Sequence, residues 1–405
     1  MKHPAALILG VDTPIGLTVI RELARHGVPV HGIGRNRHAL GRSSRYLTSF
    51  SLRPEGRALA EWLPERIFHT GARALFAISE DDLVALAAFP AEIEGCQILT
   101  PRKPQLDLVL DKGRTLALAA GCGIDVPESW QPVAGENFAQ YAETLSFPVV
   151  AKWADPPAMA GILAQHGLPL IKAEHAATQE ALLAILNRYA PLREWPIVQP
   201  FCPGFGFGQM LHMAGAKASL TFQHRRIHEW PPEGGVSTLC ESLPLGRHTQ
   251  QMAKSEGLLR AIGWTGPAMV EYRHDPQTGK FWLMEVNGRF WGSLPLAYHC
   301  GAEFAWEQYR HAILGEAETG RGEFVQRRAR FMIPETRRLF RILFGSHPIP
   351  NFRRTRIADL ISYITGFFDP QMRYFVFTPD DPRPFFHDLG GVIRKILRRE
   401  IPSQD

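Results

Sequence analysis

The stretch from residue 267 to residue 287, PAMVEYRHDPQTGKFWLMEVN, constrains this chain more than any other. Two apolar-rich runs flank DPQTG, whose Pro, Thr and Gly favour a reversal, so pairing about Thr278 predicts a β-hairpin. Side chains alternate between the faces of a strand, which puts Glu285 and Asn287 on one face and Met284 and Val286 on the other. The same pairing sets Glu271 opposite Glu285. Like charges directly across a ladder repel, so without compensation this sequence works against itself. A divalent cation removes the conflict, because two carboxylates and an amide oxygen are hard ligands suited to Mg²⁺, which takes its other ligands from phosphate and water. The competing reading is an exposed hairpin with solvated acids, and the adjoining Phe281-Trp282-Leu283-Met284 run is too apolar for that. Arg289 lies two residues further on and suits either an oxyanion or a surface ion pair.

Two textures precede the hairpin. Residues 6–34 read as strand, turn, helix closed by Gly27, and strand, and the alternation of helical and apolar pieces continues to about residue 93. That rhythm indicates a parallel sheet flanked by helices. The turn GVDTPIG is not the dinucleotide fingerprint. Asp12 stands where the second glycine belongs, and Arg35 and Asn36 stand where a ribose-binding acid is needed. A structural βα turn, or substrate binding by the helix amides, is expected there instead. Lys112 opens a helix ending at Gly121 or Gly123.

From residue 147 the pattern becomes mixed. FPVVAKW, LPLIKAE and WPIVQPF read as strands, with a helix capped by Thr178 between the last two. Two antiparallel strands joined at Ala214-Gly215 and a helix over 248–263 lead to the hairpin. Lys152 sits in an apolar strand, where a buried ammonium requires an anionic partner. VQPFCPGFGFG (198–208) joins a strand to a glycine-rich turn whose shape could pass along a flat ligand. Domain boundaries are expected near residues 100 and 320, giving an α/β unit, an α+β unit and a C-terminal extension.

Composition narrows the class. The 405 residues are 45% hydrophobic and 21% charged, which suits two or three packed domains rather than disorder. Cys96, Cys122, Cys202, Cys240 and Cys300 are odd in number and lack a CxxC, as expected of reduced thiols in a cytoplasmic protein. Asp12 and Pro14 interrupt the first apolar run too early for a signal peptide, and no run reaches transmembrane length. The net charge of +5 is concentrated in the last eighty-odd residues. There TRRLFRILF reads as a basic amphipathic helix, expected to pack its apolar side on the core with solvated arginines. Peripheral contact with anionic lipid is the alternative. No motif for sequence-specific nucleic-acid recognition is present, and no nucleic-acid partner is expected.

The set of pieces resembles the ATP-grasp superfamily of carboxylate–amine ligases: a lysine opening a helix, a lysine in a strand, a hinge strand, then Glu before a turn and ExNxR. The likeness spans about residues 5–310. It implies a Rossmann-like pre-ATP-grasp domain (1–100) and an ATP-grasp fold of two α+β subdomains (101–320), with a lid at about 130–200 and a catalytic subdomain at about 201–320. Residues 321–405 are left as a basic extension. Carried over, Lys112 and Lys152 match the lysines that contact ATP phosphates, and Gln199, Pro200, Phe201 and Cys202 match the hinge that reads adenine. Glu271, Glu285 and Asn287 match the ligands of Mg²⁺ (with Mn²⁺ able to substitute), and Arg289 the arginine that binds substrate or intermediate. FQHRRIHEWPPEGGVSTLCES is similar to a pattern in ligases acting on carboxylates, with His224, Arg225, Arg226 and Ser237 as substrate or phosphate contacts.

The implied activity is ATP- and Mg²⁺-dependent joining of a small carboxylate to an amine through an acylphosphate, with Arg289 and Lys152 as the catalytic cations, and ligases of this kind are often homodimers. Two departures stand out: WADPPAMAGILAQHG replaces a Gly/Ser-rich phosphate lid, and no ribose-binding acid is evident in GFGFGQM. A nucleotide-binding protein without catalysis, and an oxidoreductase or epimerase built on the first domain, are the alternatives.

Overall fold

The computed structural model describes residues 3–154, 156–171, 173–232, 234–316, 324–345 and 355–397. The first domain holds β1 (Ala5–Leu9), α1 (Pro14–Arg25), β2 (Val30–Gly34), β3 (Ser49–Leu52), α2 (Leu59–Thr70), β4 (Ala72–Ala77), α3 (Glu80–Ala87), β5 (Glu92–Ile93) and β6 (Cys96–Ile98). Its sheet runs β3-β2-β1-β4-β6-β5 and is parallel except for β5. Thr13 caps α1 by accepting from the Gly16 amide, so the βα turn is closed by its own side chain.

Two helices follow, α4 (Lys103–Leu110) and α5 (Lys112–Gly121), where the sequence suggested one. Asp111 is the break: its carboxylate accepts from the Arg114 amide at 3.0 Å and starts α5 afresh. The segment expected as the lid contains α6 (Phe138–Ala142), β7 (Val149–Lys152), α7 (Pro156–Gln165), β8 (Glu174–Ala176), α8 (Gln179–Tyr189) and β9 (Ile197–Pro200). β7 lies between antiparallel β8 and β9. Of LPLIKAE, expected as a strand, the described residues before Glu174 are not in one, and pairing with β7 starts only at Glu174. A core of Trp130, Val149, Leu163, Leu186, Tyr189 and Val198 belongs to the lid alone.

The body of the molecule is a seven-stranded sheet. β10 (Phe205–Ala214), β11 (Lys217–Trp230), β12 (Val236–Ser242), α9 (Thr249–Ile262), β13 (Gly266–His274) and β14 (Phe281–Asn287) lead to α10 (Leu294–Cys300) and α11 (Phe304–Tyr309). The segment expected as an extension supplies β15 (Arg328–Arg330), α12 (Met332–Phe344), α13 (Arg356–Thr365), β16 (Met372–Tyr374) and α14 (Arg383–Leu397). The sheet order is β14-β13-β10-β11-β12-β15-β16, so this segment adds two strands rather than trailing from the body. It also reaches back to the first domain, where buried Asp381 accepts from Arg21 at 3.0 Å and from Ser44 at 2.7 Å. The expectation for α12 holds only in part. Leu339 and Ile342 pack inward, but so do Glu335 and Arg338, while Phe340 and Phe344 face out.

Candidate active site

The hairpin has the register its sequence requires. Glu271 pairs with Glu285, Val270 with Val286 and Met269 with Asn287, before a bulge between Glu271 and Tyr272 shifts the rest. Asn287 Nδ2 donates to Glu285 Oε1 at 2.9 Å, tying the two polar groups of β14 together. Across the sheet, Arg226 Nη2 on β11 donates to Glu271 Oε2 at 2.6 Å, and its Nη1 lies 3.3 Å from Glu229. Gly206 on β10 makes that reach possible: a Cβ there would lie 2.8 Å from Arg226 Cδ. The glycine-rich piece expected to pass along a flat ligand is thus strand β10, and two of its glycines accommodate the side chains of Arg226 and His224.

Burial pushes the Glu271 carboxyl up to about 7, because desolvation outweighs the pull of Arg226 and Glu285 and Glu229 add repulsion. On Arg226 the balance is reversed. Burial alone would lower the guanidinium, but Glu271, Glu229 and Glu285 hold it above its ordinary value. The guanidinium therefore keeps its proton, and the group that titrates at this pair is the Glu271 carboxyl. The hairpin stores the repulsion its sequence implied, and a hard cation between Glu271, Glu285 and the Asn287 oxygen fits that donor set. Among the described residues no group of three or more His, Cys, Asp and Glu forms a metal cage. That suits an ion which takes the rest of its shell from phosphate and water.

Lys152 ends β7 and faces the same space from the lid. Burial and then the nearby Lys112 together bring its ammonium down to about 8, against the opposing fields of Glu285, Cys202 and Glu271. Five residues from four elements and the hinge thus act on one another: Lys112 at the start of α5, Lys152, Cys202, Glu271 and Glu285. The hinge is fixed on both sides. Gln199 Nε2 donates to Ser129 Oγ at 2.7 Å, the Phe201 amide to the Pro148 carbonyl at 2.9 Å, and the Cys202 thiol approaches the Pro200 carbonyl at 3.7 Å. From the body, Arg273 Nε donates to the Cys202 carbonyl at 3.3 Å and its Nη2 to the Gly204 carbonyl. Arg273 escaped notice in the sequence, although it stands two residues beyond Glu271. Gly204, with φ of +95°, presses on the hairpin so closely that a Cβ would lie 1.9 Å from the His274 carbonyl oxygen.

The remaining candidates separate. His224 is enclosed, 3.3 Å from Ser293 Oγ, and burial with the nearby Arg226 lowers it to about 3, so it is a neutral packing group. Ser237 is almost enclosed. Arg225 and Arg226 instead line a cavity of about 560 Å³, together with Arg328, Arg330, Glu241 and Asp369. Arg225 and Arg328 both pair with Glu241, and Arg328 reaches Asp369 at 3.3 Å. Arg330, which is buried, stacks on Tyr363 and Phe367. The two later arginines lie about a hundred residues beyond Arg226 in sequence, and only the seven-strand order brings them there. Arg289 points elsewhere. Its Nε lies 3.3 Å from Glu80 at the start of α3, and it borders a smaller cavity of about 230 Å³ shared with Arg102, His212 and His311. The oxyanion partner expected for Arg289 is, in this structure, a glutamate of the first domain.

No protein-family model matches the sequence, and no curated protein matches it significantly. Solved structures do match in fold. N5-carboxyaminoimidazole synthetase from Staphylococcus aureus is similar over 86% of this chain and 88% of its own, at 12% identity and a TM-score of 0.61. The biotin carboxylase domain of Hydrogenobacter thermophilus 2-oxoglutarate carboxylase, solved with MgADP, ADP and bicarbonate, covers 80% of this chain and 72% of its own, at 14% identity and a TM-score of 0.58. The L-amino acid ligase of Bacillus licheniformis covers 77% and 75%, at 15% identity and a TM-score of 0.56. With a mostly parallel sheet in its first domain, then a three-stranded sheet and a larger sheet that is antiparallel except between β15 and β16, the chain has the ATP-grasp fold.

Proposed function

We propose that this protein is an ATP- and Mg²⁺-dependent ligase that joins a carboxylate to an amine. One observation carries the reading: Lys112, Lys152, Glu271 and Glu285, far apart in sequence, act on one shared space beside the hinge at 199–202. The Hydrogenobacter thermophilus biotin carboxylase domain, solved with MgADP, supports the same ligands. In this reading ATP lies between lid and body, with its adenine against the Pro200 carbonyl and the Cys202 amide and its phosphates toward Lys112 and Lys152. Glu271, Glu285 and Asn287 would hold Mg²⁺, which when bound supplies positive charge along the phosphates.

The substrate carboxylate attacks the γ-phosphorus, the bond to the β-phosphate oxygen breaks, and ADP leaves. The amine then attacks the acyl carbon, phosphate departs, and the amine proton passes to solvent. No nucleophilic side chain is needed, because positioning and charge carry both steps. We place the acid in the 560 Å³ cavity, where four arginines face two carboxylates. Arg289 serves at the first-domain side.

An ADP-release screen over amino acids and small carboxylates, each with and without an amine, tests the reading. Release that needs one acid–amine pair supports it. Nucleotide binding with no release across the panel would favour a nucleotide-binding protein without catalysis. For the pair found, Arg328→Gln is expected to raise KM for the acid about tenfold and leave that for ATP unchanged.

A further inference from the structure

α12 and α13 form an antiparallel helical hairpin. Arg356 Nη1 donates to the Leu343 carbonyl at 3.2 Å, Arg338 holds Asp359 through two bonds of 2.9 and 3.1 Å, and Thr336 meets the Tyr363 hydroxyl at 2.7 Å. The polarity of α13 is inverted. The one buried residue in this helix is an aspartate, Asp359, whereas Ile357, Ile361 and Ile364 are 71%, 55% and 50% exposed. Phe368, just beyond, is 83% exposed and continues the stripe at positions i, i+4, i+7 and i+11. Phe340 and Phe344 add a stacked, exposed pair on α12. A helix that turns its aspartate inward and three isoleucines outward is built for an apolar neighbour.

Charge identifies the neighbour. Both carboxylates of the hairpin are turned inward: Glu335 faces His228, Thr238 and Arg338, and Asp359 faces Arg338. The next carboxylate in the chain, Asp369, pairs with Arg328. Arg337 and Arg356 are exposed. The surface therefore offers apolar side chains and arginines with no accompanying acid. A second copy of the chain would set arginine against arginine, since a two-fold interface must complement itself and this one cannot. An anionic lipid surface complements both features. No helix among the described residues is long and apolar enough to cross a membrane, so the contact is with the surface.

We propose that the α12–α13 hairpin docks this protein on anionic bilayers, with Ile357, Ile361, Ile364 and Phe368 entering the acyl boundary and Arg337 and Arg356 meeting the headgroup phosphates. The proposal is independent of the ligase reading. Co-sedimentation of the full chain with vesicles of phosphatidylglycerol and phosphatidylcholine, against phosphatidylcholine alone, tests it. The expected result is at least tenfold stronger binding to the anionic vesicles, lost on raising the salt. Ile361→Asp, Phe368→Asp and the double variant Arg337→Glu/Arg356→Glu are each expected to lose at least tenfold with unchanged circular dichroism. Two independent apolar variants keep the test valid if one fails to fold. Protein that stays in solution with anionic vesicles, or folded apolar variants that bind like the parent, would overturn the proposal. So would a dimer that Ile361→Asp splits while vesicle binding is unaffected, since the face would then belong to a second copy.

Discussion

Replacing Glu285 by Gln tests the central geometry, because the reasoning demands opposite effects on stability and activity. Glu285 opposes Glu271 directly across the hairpin, and repulsion between them helps raise Glu271 to about 7. Directly opposed side chains sit about 5 Å apart, and two charges at that distance repel by about 3 kcal/mol at an effective dielectric of about 20. Glu271 escapes part of this by holding a proton near neutrality, so a gain of about 1–2 kcal/mol is expected at pH 7.5. Glutamine keeps an oxygen to accept from Asn287. The melting temperature without nucleotide should rise by about 1–2 °C.

The sign with pH follows from the Glu271 carboxyl. Native Glu271 keeps a proton that the unfolded chain has already released, so this carboxyl's own contribution to parent stability falls as pH rises from about 4.5 through about 7. That fall should be shallower in the variant. Its advantage is then absent near pH 5, where Glu271 is protonated, and largest near pH 8.5. Magnesium-dependent ATP turnover should meanwhile drop at least 100-fold. Scanning calorimetry across pH and coupled ADP release read both quantities. A variant less stable than the parent at pH 8.5, or one that turns over ATP normally, would refute the assignment of these carboxylates.

Three further outcomes are expected. Lys152→Met should weaken ATP binding about 10–100-fold by equilibrium titration without lowering the melting temperature, because burial already lowers that ammonium to about 8. Gly204→Ala should cost about 3 kcal/mol or more in denaturant unfolding, since its Cβ would strike the His274 carbonyl and its φ is positive. Burial lowers His212, His224 and His299 to about 4, 3 and 4, so they stay neutral while unfolded histidines take up protons below about 6.5. Their contribution is full above that value and lost below it, so about 6 kcal/mol should disappear between pH 7 and pH 5. His212→Gln should remove roughly a third of that acid sensitivity in pH-resolved melts.

What could be read in the sequence was whatever a local period encodes. The register of Glu271 against Glu285 follows from strand alternation and one turn, and both carry over into the structure. Lys112 at a helix start and Lys152 in a strand were visible for the same reason. What escaped depends on which strands become neighbours. Arg328 and Arg330 looked like part of a basic tail, because nothing in RRARF announces that it pairs with β12. Arg273 drew no reading from the sequence, because its partners are the Cys202 and Gly204 carbonyls about seventy positions away. The inverted polarity of α13 was hidden too, since amphipathicity gives two faces without saying which one points inward.

The self-contained core of the lid has a further consequence. Trp130, Leu163, Leu186 and Tyr189 share one buried cluster within that segment, so a rigid-body swing of the segment would leave them covered. Opening then costs little packing, and closure gains little unless a ligand bridges the gap. If ATP binds as proposed, lid position and nucleotide affinity become one equilibrium, in which every contact between Lys152 and a phosphate would also contribute to closure.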